Sequence, residues 1–391
     1  MSDISFIEES INKVERWVER HNYTGYDPFD GLSSFLRPLT FRSLFAERIL
    51  QQTIRQSPVN LRPLLGVKPQ ESAIGRGYMA WGYLKLFSLT NNHEYRAKAV
   101  KCLDWLIENR SPQYEHYGWG NHFEYASRSG YLPKFEPTIV WSCLIGQAFL
   151  DAYEILGDEK YLKVTISICE WILNLPREVT DSGDCFSYVA FEQLSIHNSN
   201  MLGAALLART AKFTDNKTYL QVAKGAIEYS CSQQNPDGSW FYGEESKYHW
   251  IDNFHTGYNL ESLKCYLESS GDKTYEDNLQ QGFAFFKKSF FEESGRPKYY
   301  HNRAYPVDIQ CASQAIETLA NFAEYDKSSL ARAGKVALWT ISNMQDKNGF
   351  FYYRLYPFGI KAKMPMIHWG DATMYKALTF LLSKINRLKL N

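Results

Sequence analysis

Four short tetrads, each ending in a tyrosine, recur along the chain about 60 residues apart. Each tetrad lies between two helical patterns, and each tyrosine is followed ten residues later by another aromatic residue. A fixed period of this length is typical of repeat architectures. The repeat unit is therefore predicted to be a helix, a tight turn, a second helix and a longer loop. The tetrads are Asn92–Tyr95, Asp158–Tyr161, Asn216–Tyr219 and Asp272–Tyr275.

The helices before and after the tight turns differ in character. Those before the turns are apolar nearly all round, whereas those after them carry Lys and Glu on one face, which predicts an inner and an outer ring. Six inner helices are predicted at about 70–90, 137–156, 195–213, 256–270, 307–325 and 370–387. Six outer helices are predicted at about 4–21, 93–109, 159–174, 216–233, 273–290 and 327–344. The predicted fold is an all-α (α/α)6 toroid of six helical hairpins, with the first helix packed against the last.

The loops that enter the inner helices are predicted to lie on one rim of this toroid. Gly238–Tyr242 and Gly349–Tyr353 share an aromatic alternation with a period of two, and 186–188 and 117–119 are looser relatives. Such alternation predicts short β-like hairpins on the rim. A helix at about 40–56 is extra to the six hairpins. Since no linker or low-complexity tract interrupts the pattern, residues 1–391 are predicted to form a single domain.

Charge and cysteine usage exclude several classes of function. Lys plus Arg equals Asp plus Glu at 43 each, so a basic surface for nucleic acid has no support. We identify no run of about 18 apolar residues and expect no membrane span. The seven cysteines are widely spaced without a CxxC pair, and the chain begins without a secretory pattern. These features predict a cytoplasmic protein with reduced cysteines. The sequence does not indicate an oligomeric state.

Polar side chains collect where the rim loops turn into the inner helices. The densest stretch is 250–258, which combines an acid, an imidazole and several aromatic residues. Helix N-termini direct free N–H groups toward the rim, and aromatic platforms among acids and amides suit the apolar face and the hydroxyls of a sugar ring. The candidate catalytic residues are Asp252, His255, Asp308, Asp30 and Tyr258. The candidate substrate-binding residues are Arg128, His197, Asn200, Trp240, Trp250, Tyr242, His368, Trp369 and Asp371.

These residues fit more than one chemistry. Two carboxylates flanking a glycosidic bond would hydrolyse it, whereas an acid and a base flanking C5 of a uronic acid would support elimination or epimerisation. Structural explanations also exist, because Asp252, Asp308 and Asp371 lie near helix starts and suit N-caps, and His197 and His255 suit a polar core. No metal-ligand spacing or phosphate-binding loop occurs, so neither a metal nor a cofactor is expected.

Several motifs in combination resemble a bacterial family of polysaccharide biosynthesis proteins of the VpsJ type, encoded with exopolysaccharide and capsule genes. The motifs are 27–32, 196–204, 237–243, 250–258 and 305–310. The resemblance implies the (α/α)6 toroid shared by many glycosidases, polysaccharide lyases and sugar epimerases. Some members carry the label delta-aminolevulinic acid dehydratase, but the strand–helix alternation of a (β/α)8 barrel is missing here.

A second resemblance concerns Gln234–Trp240, which is similar to the QW repeat of triterpene cyclases, also α/α toroids. The acidic motifs of those enzymes are missing. The preferred hypothesis is an enzyme of glycan or sugar-precursor metabolism that acts in surface-polysaccharide production by hydrolysis, elimination or epimerisation. The alternatives are a non-catalytic glycan-binding or assembly protein and a terpenoid-cyclase-like toroid.

Overall fold

Helices make up most of the computed structural model, which describes residues 3–390 and the side chains of residues 3–387. Short 3-10 turns, one π-helical segment and nine short strands accompany the helices in this part of the chain. The α-helices are α1 (Asp3–Arg20), α2 (Leu44–Gln56), α3 (Ala73–Thr90), α4 (His93–Glu108), α5 (Ile139–Leu156), α6 (Glu159–Leu173), α7 (His197–Thr214), α8 (Lys217–Ser232), α9 (Asn253–Ser270), α10 (Glu276–Ser289), α11 (Ile309–Asn321), α12 (Ser328–Met344) and α13 (Thr373–Leu390).

Two concentric rings of helices form the fold. Helices α3, α5, α7, α9, α11 and α13 contact one another in that order, and α13 closes the inner ring against α3. Helices α4, α6, α8, α10 and α12 each pack on the inner helix that precedes them, and α1 packs on α13. The predicted all-α (α/α)6 toroid is confirmed, including the pairing of the first helix with the last.

Burial explains which helix enters which ring. Most residues of α5 and α7 are buried on every side, whereas α4 buries only the stripe Ala99, Cys102, Leu103 and Leu106. Inner helices also approach one another closely. A Cβ atom added at Gly82 of α3 would lie 2.6 Å from the Tyr375 ring of α13, so the absence of a side chain permits this contact.

The tetrads form the tight turns and begin the outer helices. Asn92, Asp158 and Asn216 are N-caps, and each side-chain oxygen accepts a hydrogen bond from the backbone N–H two residues later. Asp272 accepts one from Thr274 in the same way, but α10 begins only at Glu276. The period therefore arises from capped turns on the face opposite the rim.

Short antiparallel strands lie on the rim, and some of them are not at the predicted positions. They are β1 (Thr24–Gly25), β2 (Gln70–Glu71), β3 (Tyr125–Ser127), β4 (Gly130–Leu132), β5 (Arg177–Thr180), β6 (Gly183–Phe186), β7 (Val307–Asp308), β8 (Arg354–Leu355) and β9 (Lys361–Ala362). The predicted extended segments at 238–242 and 117–119 contain no strand. In the first, buried Trp240 donates from Nε1 to the Ser230 carbonyl (2.8 Å), so this aromatic packs against a helix instead of pairing in a sheet.

The extra helix α2 lies outside both rings and contacts β3 and the loop at 30–33. Its outer face exposes Phe45 (71%) and Ile49 (52%). Among residues 3–390, one helix, α5, is long and apolar enough to cross a membrane, but 67% of it is buried inside the fold, as in a core helix. All seven cysteines are free, and all except half-buried Cys265 are buried.

Candidate functional site

A cavity of about 720 Å³ opens at the rim, where the inner helices begin. Every inner helix, or the segment leading into it, contributes to its wall, and β3, β4 and one face of α2 complete it. The N-terminal ends of six helices therefore converge on one space. This is the rim that the loop connectivity predicts.

Asp252 and His255 form a hydrogen-bonded pair in this cavity. Asp252 is the N-cap of α9, and its Oδ1 accepts from the His255 backbone N–H (3.0 Å). Its Oδ2 lies 2.7 Å from Nδ1 of the His255 ring and also accepts from Trp250 Nε1 (3.0 Å). Because an ionised carboxylate only accepts hydrogen bonds, Nδ1 donates to it, and in the neutral form of the ring Nε2 carries the lone pair.

A second histidine meets a second carboxylate in the same cavity. Nδ1 of His368, in the π-helical segment before α13, lies 2.7 Å from Oδ2 of Asp27. Burial alone would raise the pKa of Asp27, but the charge of His368, its hydrogen bond and the Phe29 backbone N–H lower it below its usual value. Asp27 is therefore anionic and lies against Nδ1 of the ring, which also lies 3.4 Å from the Ser72 hydroxyl. Among the described residues, no hydrogen-bond partner reaches Nε2 of His255 or of His368.

Tyr258, Gln310 and Tyr78 also line the cavity and contact one another. Gln310 Nε2 donates to the Tyr258 hydroxyl (2.8 Å), which lies 3.5 Å from the Tyr78 hydroxyl. Burial raises the pKa of Tyr258 well above its usual value, and the nearby Tyr78 and glutamates add to the rise. Tyr258 is therefore a neutral hydroxyl that can donate a hydrogen bond to a bound oxygen.

Aromatic rings supply most of the apolar wall. Trp250 stacks on Tyr242, with ring centroids 4.5 Å apart. Trp369 meets Phe254 and Phe29 edge to face. Such flat surfaces beside hydroxyl and imidazole groups suit a sugar ring, which has apolar C–H faces and a polar edge.

Eight of the fourteen predicted site residues line this cavity. They are Asp252, His255, Tyr258, Arg128, Trp250, Tyr242, His368 and Trp369. The rim loops therefore bring together residues that are up to 241 positions apart in the sequence, from Arg128 to Trp369.

Two predicted catalytic carboxylates are instead held in buried ion pairs. Asp30 binds Arg62, whose side chain is 0% exposed, and accepts from the Asp27 backbone N–H. Asp308 caps α11 and binds Arg354, while its Oδ1 accepts from Trp369 Nε1 (2.9 Å). Both carboxylates thus hold the wall of the cavity in place without lining it.

Four predicted substrate-binding residues also lie behind the cavity wall. His197 binds Glu244 through Nε2 (2.7 Å), and Asn200 bonds to the backbone of β6 and α8. Trp240 is buried against α8. Asp371 accepts from the Phe351 N–H (2.8 Å), and burial raises its pKa well above the usual value. Their contacts are those of polar core residues.

Sequence reasoning missed Asp27 and the cationic side of the cavity. Asp27 belongs to the motif at 27–32, in which Asp30 was the candidate. Arg48, Arg55 and Arg303 also line the cavity. Arg48 and Arg55 are seven residues apart on the predicted extra helix, a spacing that places them on one helix face. For Arg48 and Arg55, this spacing was the one signal available in the sequence.

Within the described residues, no group of three or more His, Cys, Asp or Glu side chains is arranged to hold a metal ion. Both cavity histidines direct Nδ1 to a carboxylate instead.

No known family model matches the chain, and no curated protein matches its sequence. Solved structures match its fold. Cellobiose 2-epimerase from Bacillus thermoamylovorans superposes with a TM-score of 0.63 at 12% identity, covering 82% of this chain and 90% of that one. A GH76 alpha-mannanase from Bacteroides thetaiotaomicron gives 0.63 at 12% identity, with 81% and 87% covered. A D-mannose isomerase gives 0.60 at 14% identity, with 81% and 87% covered. At these identities the likeness shows a shared toroid fold.

Proposed function

We propose that this protein is a sugar epimerase or isomerase that moves a proton at a carbon next to the anomeric carbonyl. The observation that carries the proposal is the presence of two His–Asp pairs, His255–Asp252 and His368–Asp27, in one cavity. His255 comes from the start of α9 and His368 from the segment leading into α13, and these two helices are separated by one helix around the inner ring. Two imidazoles can therefore approach one substrate from different directions.

The proposed reaction needs a base and an acid of matched strength. Nε2 of one neutral imidazole takes the proton from C2 of an open-chain sugar, and the electron pair of the broken C–H bond forms a C1–C2 double bond. The carbonyl oxygen takes up the negative charge. The other imidazole, in its protonated form, delivers a proton to the opposite face of C2, which inverts that centre. Delivery to C1 instead, with transfer of the O2 proton, yields a ketose.

The surroundings support these roles. Each carboxylate fixes its ring through Nδ1 and stabilises the imidazolium that forms, as second-layer carboxylates do for catalytic histidines. The neutral Tyr258 hydroxyl and the side-chain amide of Gln310 can hydrogen-bond a developing oxyanion. Histidine suits the task because its usual pKa lies close to neutral pH, so both protonation states are accessible.

Hydrolysis is less well supported by the same cavity. A glycoside hydrolase needs two carboxyl groups facing the scissile bond. Three carboxylates line the cavity, and Asp27 and Asp252 are both engaged by histidines. The third, Glu192, is exposed at the mouth. Two of the fold neighbours described above carry names of epimerisation or isomerisation, which also supports proton transfer.

The proposed setting follows from the sequence. The motif resemblance supports a role in the production of surface polysaccharide, on a glycan or a sugar precursor. The free, buried cysteines support a reducing compartment such as the cytoplasm.

Deuterium exchange tests the proposal directly. The protein is incubated in D2O with a panel of reducing aldoses and uronic acids, and label at C2 is followed by NMR. We expect exchange with at least one sugar. His255→Asn and His368→Asn keep a donor near the position of Nδ1 but remove the base at Nε2. In each variant, the rate of exchange is expected to fall by roughly 100-fold or more for one of the two C2 epimers of the sugar.

The alternatives give different results in the same assay. New reducing ends from an oligosaccharide without C2 exchange would indicate hydrolysis. Sugar binding with neither exchange nor cleavage would indicate a binding protein. Stabilisation by prenyl diphosphates alone would favour the cyclase-like alternative. Equal loss of exchange for both epimers in both variants, with unchanged folding, would contradict a two-base mechanism.

A further inference from the structure

Four arginines line the cavity without a carboxylate partner. They are Arg48, Arg55, Arg128 and Arg303, and among the described residues no Asp or Glu lies within 4.0 Å of their guanidinium groups. Other arginines with little exposed side chain are paired with acids, namely Arg37, Arg62, Arg76, Arg209, Arg296 and Arg354. These six are ion-paired, whereas the four cavity arginines, of which Arg128 and Arg303 are exposed, are not bound by an acidic side chain of the described residues.

Helix α2 supplies two of the four. Arg48, Gln52, Arg55 and Gln56 follow the spacing of one helical face, and all four line the cavity. Since α2 lies outside both rings, it is not needed to close the toroid. The inward face of α2 therefore presents the guanidinium and amide groups of these residues to the cavity as hydrogen-bond donors.

Neighbouring aromatic rings hold these guanidinium groups. Arg55 lies over the Phe29 ring (4.2 Å to the centroid), and its Nε donates to the Tyr353 hydroxyl (3.3 Å). Arg303 lies over the Tyr300 ring (4.4 Å). A planar guanidinium held on a ring keeps its edge free, and that edge matches the two oxygens of a carboxylate or a phosphate.

The arginine charges act close to both His–Asp pairs. Burial raises the pKa of Tyr125, and Arg55 and Arg48 oppose this rise while Asp27 adds to it. Burial also raises the pKa of Tyr300, and Asp252 adds to the rise while Arg55 and Arg303 oppose it. Each tyrosine thus lies near a carboxylate of one His–Asp pair and near two of these arginines. Arg48, Arg55 and Arg303, the arginine cluster, are therefore neighbours of the proposed reaction centre.

We propose that the substrate is an acidic sugar, whose carboxylate or phosphate group binds the arginine cluster while its reactive carbon lies between His255 and His368. This inference rests on the proposed function for the place of the reaction. The predicted affinity for an acidic sugar does not depend on whether the protein is an epimerase or isomerase. Neither Asp27 nor Asp252 forms an ion pair with the cluster, since each carboxylate is directed to its histidine.

Calorimetry with matched sugars tests the inference. D-glucuronate, D-galacturonate and D-glucose 6-phosphate, all of which keep a free anomeric carbon, are compared with D-glucose and D-galactose. We expect at least one acidic sugar to bind about tenfold or more tightly than its neutral counterpart, since one charge-assisted hydrogen bond has about that effect. Preference for a uronate identifies a carboxylate ligand, and preference for the 6-phosphate identifies a phosphate ligand. Equal or weaker binding of every acidic sugar overturns the inference.

Arginine variants locate the contact. Arg48→Gln removes a guanidinium that has no ion-pair or hydrogen-bond partner among the described residues, so folding is expected to be unchanged. Acidic-sugar affinity should fall about tenfold, and neutral-sugar affinity should stay within twofold. Arg303→Gln should act in the same direction. Arg96→Gln, on the exposed face of α4, is the matched control and should change neither affinity. Acidic-sugar affinity that is unchanged in both cavity variants contradicts the assignment.

The two proposals fail separately. Tight, arginine-dependent binding of an acidic sugar without deuterium exchange would support the acidic ligand and contradict the epimerase. Exchange on neutral sugars alone, with no preference for an acid, would support the epimerase and contradict the acidic substrate.

Discussion

Asp252 accepts hydrogen bonds from both the backbone and the side chain of His255, at 3.0 Å from the amide nitrogen and 2.7 Å from Nδ1. One carboxylate therefore begins helix α9 and orients the histidine proposed as a base. The N-cap position of this acid, offered in the sequence analysis as a structural explanation, is therefore compatible with its proposed functional role.

Substitution of Asp252 should separate these two roles. Asp252→Asn retains a good cap but no longer stabilises the imidazolium, so we expect exchange to fall by roughly 100-fold or more with little loss of stability. Asp252→Ala should lose activity and about 1 kcal/mol of stability as well. Deuterium exchange and urea unfolding measure the two effects. Asp272→Asn, at a turn on the opposite face, should change neither, and full activity of the Asp252→Asn variant would contradict the assigned role.

Asp308 is expected to act on stability instead of chemistry. Asp308→Asn leaves the Arg354 side chain, 2% exposed, without its charge partner, which should cost about 3–5 kcal/mol of unfolding free energy. Exchange per folded molecule should stay within several-fold of the wild type. Replacing both residues with apolar ones, as in D308L/R354M, should recover much of the loss. Normal stability with abolished exchange would instead make Asp308 a catalytic candidate again.

Glu261 should make stability depend on pH. Burial and the nearby Glu317 raise its pKa above the usual value, and Lys376 only partly opposes the rise. A folded-state pKa above the unfolded one means that the folded state binds the proton more tightly, so this contribution is full at acidic pH and is lost as pH rises through the raised pKa. Glu261→Gln should therefore flatten the fall in Tm between pH 5 and pH 9.

The control for this pH prediction is Glu317→Gln, which removes the carboxylate 2.9 Å from Lys376 Nζ. That variant should lower Tm because a buried cation loses its partner, and it should also weaken the pH dependence, since Glu317 is one cause of the raised pKa of Glu261. An unchanged pH profile in Glu261→Gln would show that other groups cause the dependence.

Substitution by alanine should have opposite effects on stability at two glycines. A methyl group at Gly82 would lie 2.6 Å from the Tyr375 ring, so Gly82→Ala should destabilise the inner ring by about 1–3 kcal/mol. Nothing lies within 4 Å of the corresponding position at Gly334 in outer helix α12, so Gly334→Ala should stabilise by about 0.4–1 kcal/mol. Thermal unfolding compares them. A stabilising Gly82→Ala would show that the inner helices can move apart at little cost.

The toroid was predictable because periodicity encodes it locally. The tetrads are capped turns, and the apolar or amphipathic character of each helix determines its ring. The predicted end of the inner helix at 325 was less accurate, since α11 ends at Asn321 and the chain continues in turns to α12. Helix ends depend on caps and neighbours that periodicity does not show.

The site was predictable as a rim but not as a set of contacts. Asp27 and Asp30 lie three residues apart in one loop, yet only Asp27 faces His368, and Asp30 faces Arg62. The loop conformation decides which acid points where, and the partner of Asp27 lies near the other end of the chain. Arg48 and Arg55 share a helix face, but the docking of α2 over the rim is a tertiary contact that periodicity does not encode.

Because the native cysteines are buried, a single spectroscopic label can be attached to a cysteine introduced on α2. Burial raises the pKa of all seven thiols, so little thiolate is present to react with a labelling reagent. A cysteine introduced by Ile49→Cys, on the outer face of α2, would be labelled selectively without removing any native residue of the core. A fluorophore or spin label there would report, in the otherwise native protein, whether the helix that carries Arg48 and Arg55 shifts when a ligand enters.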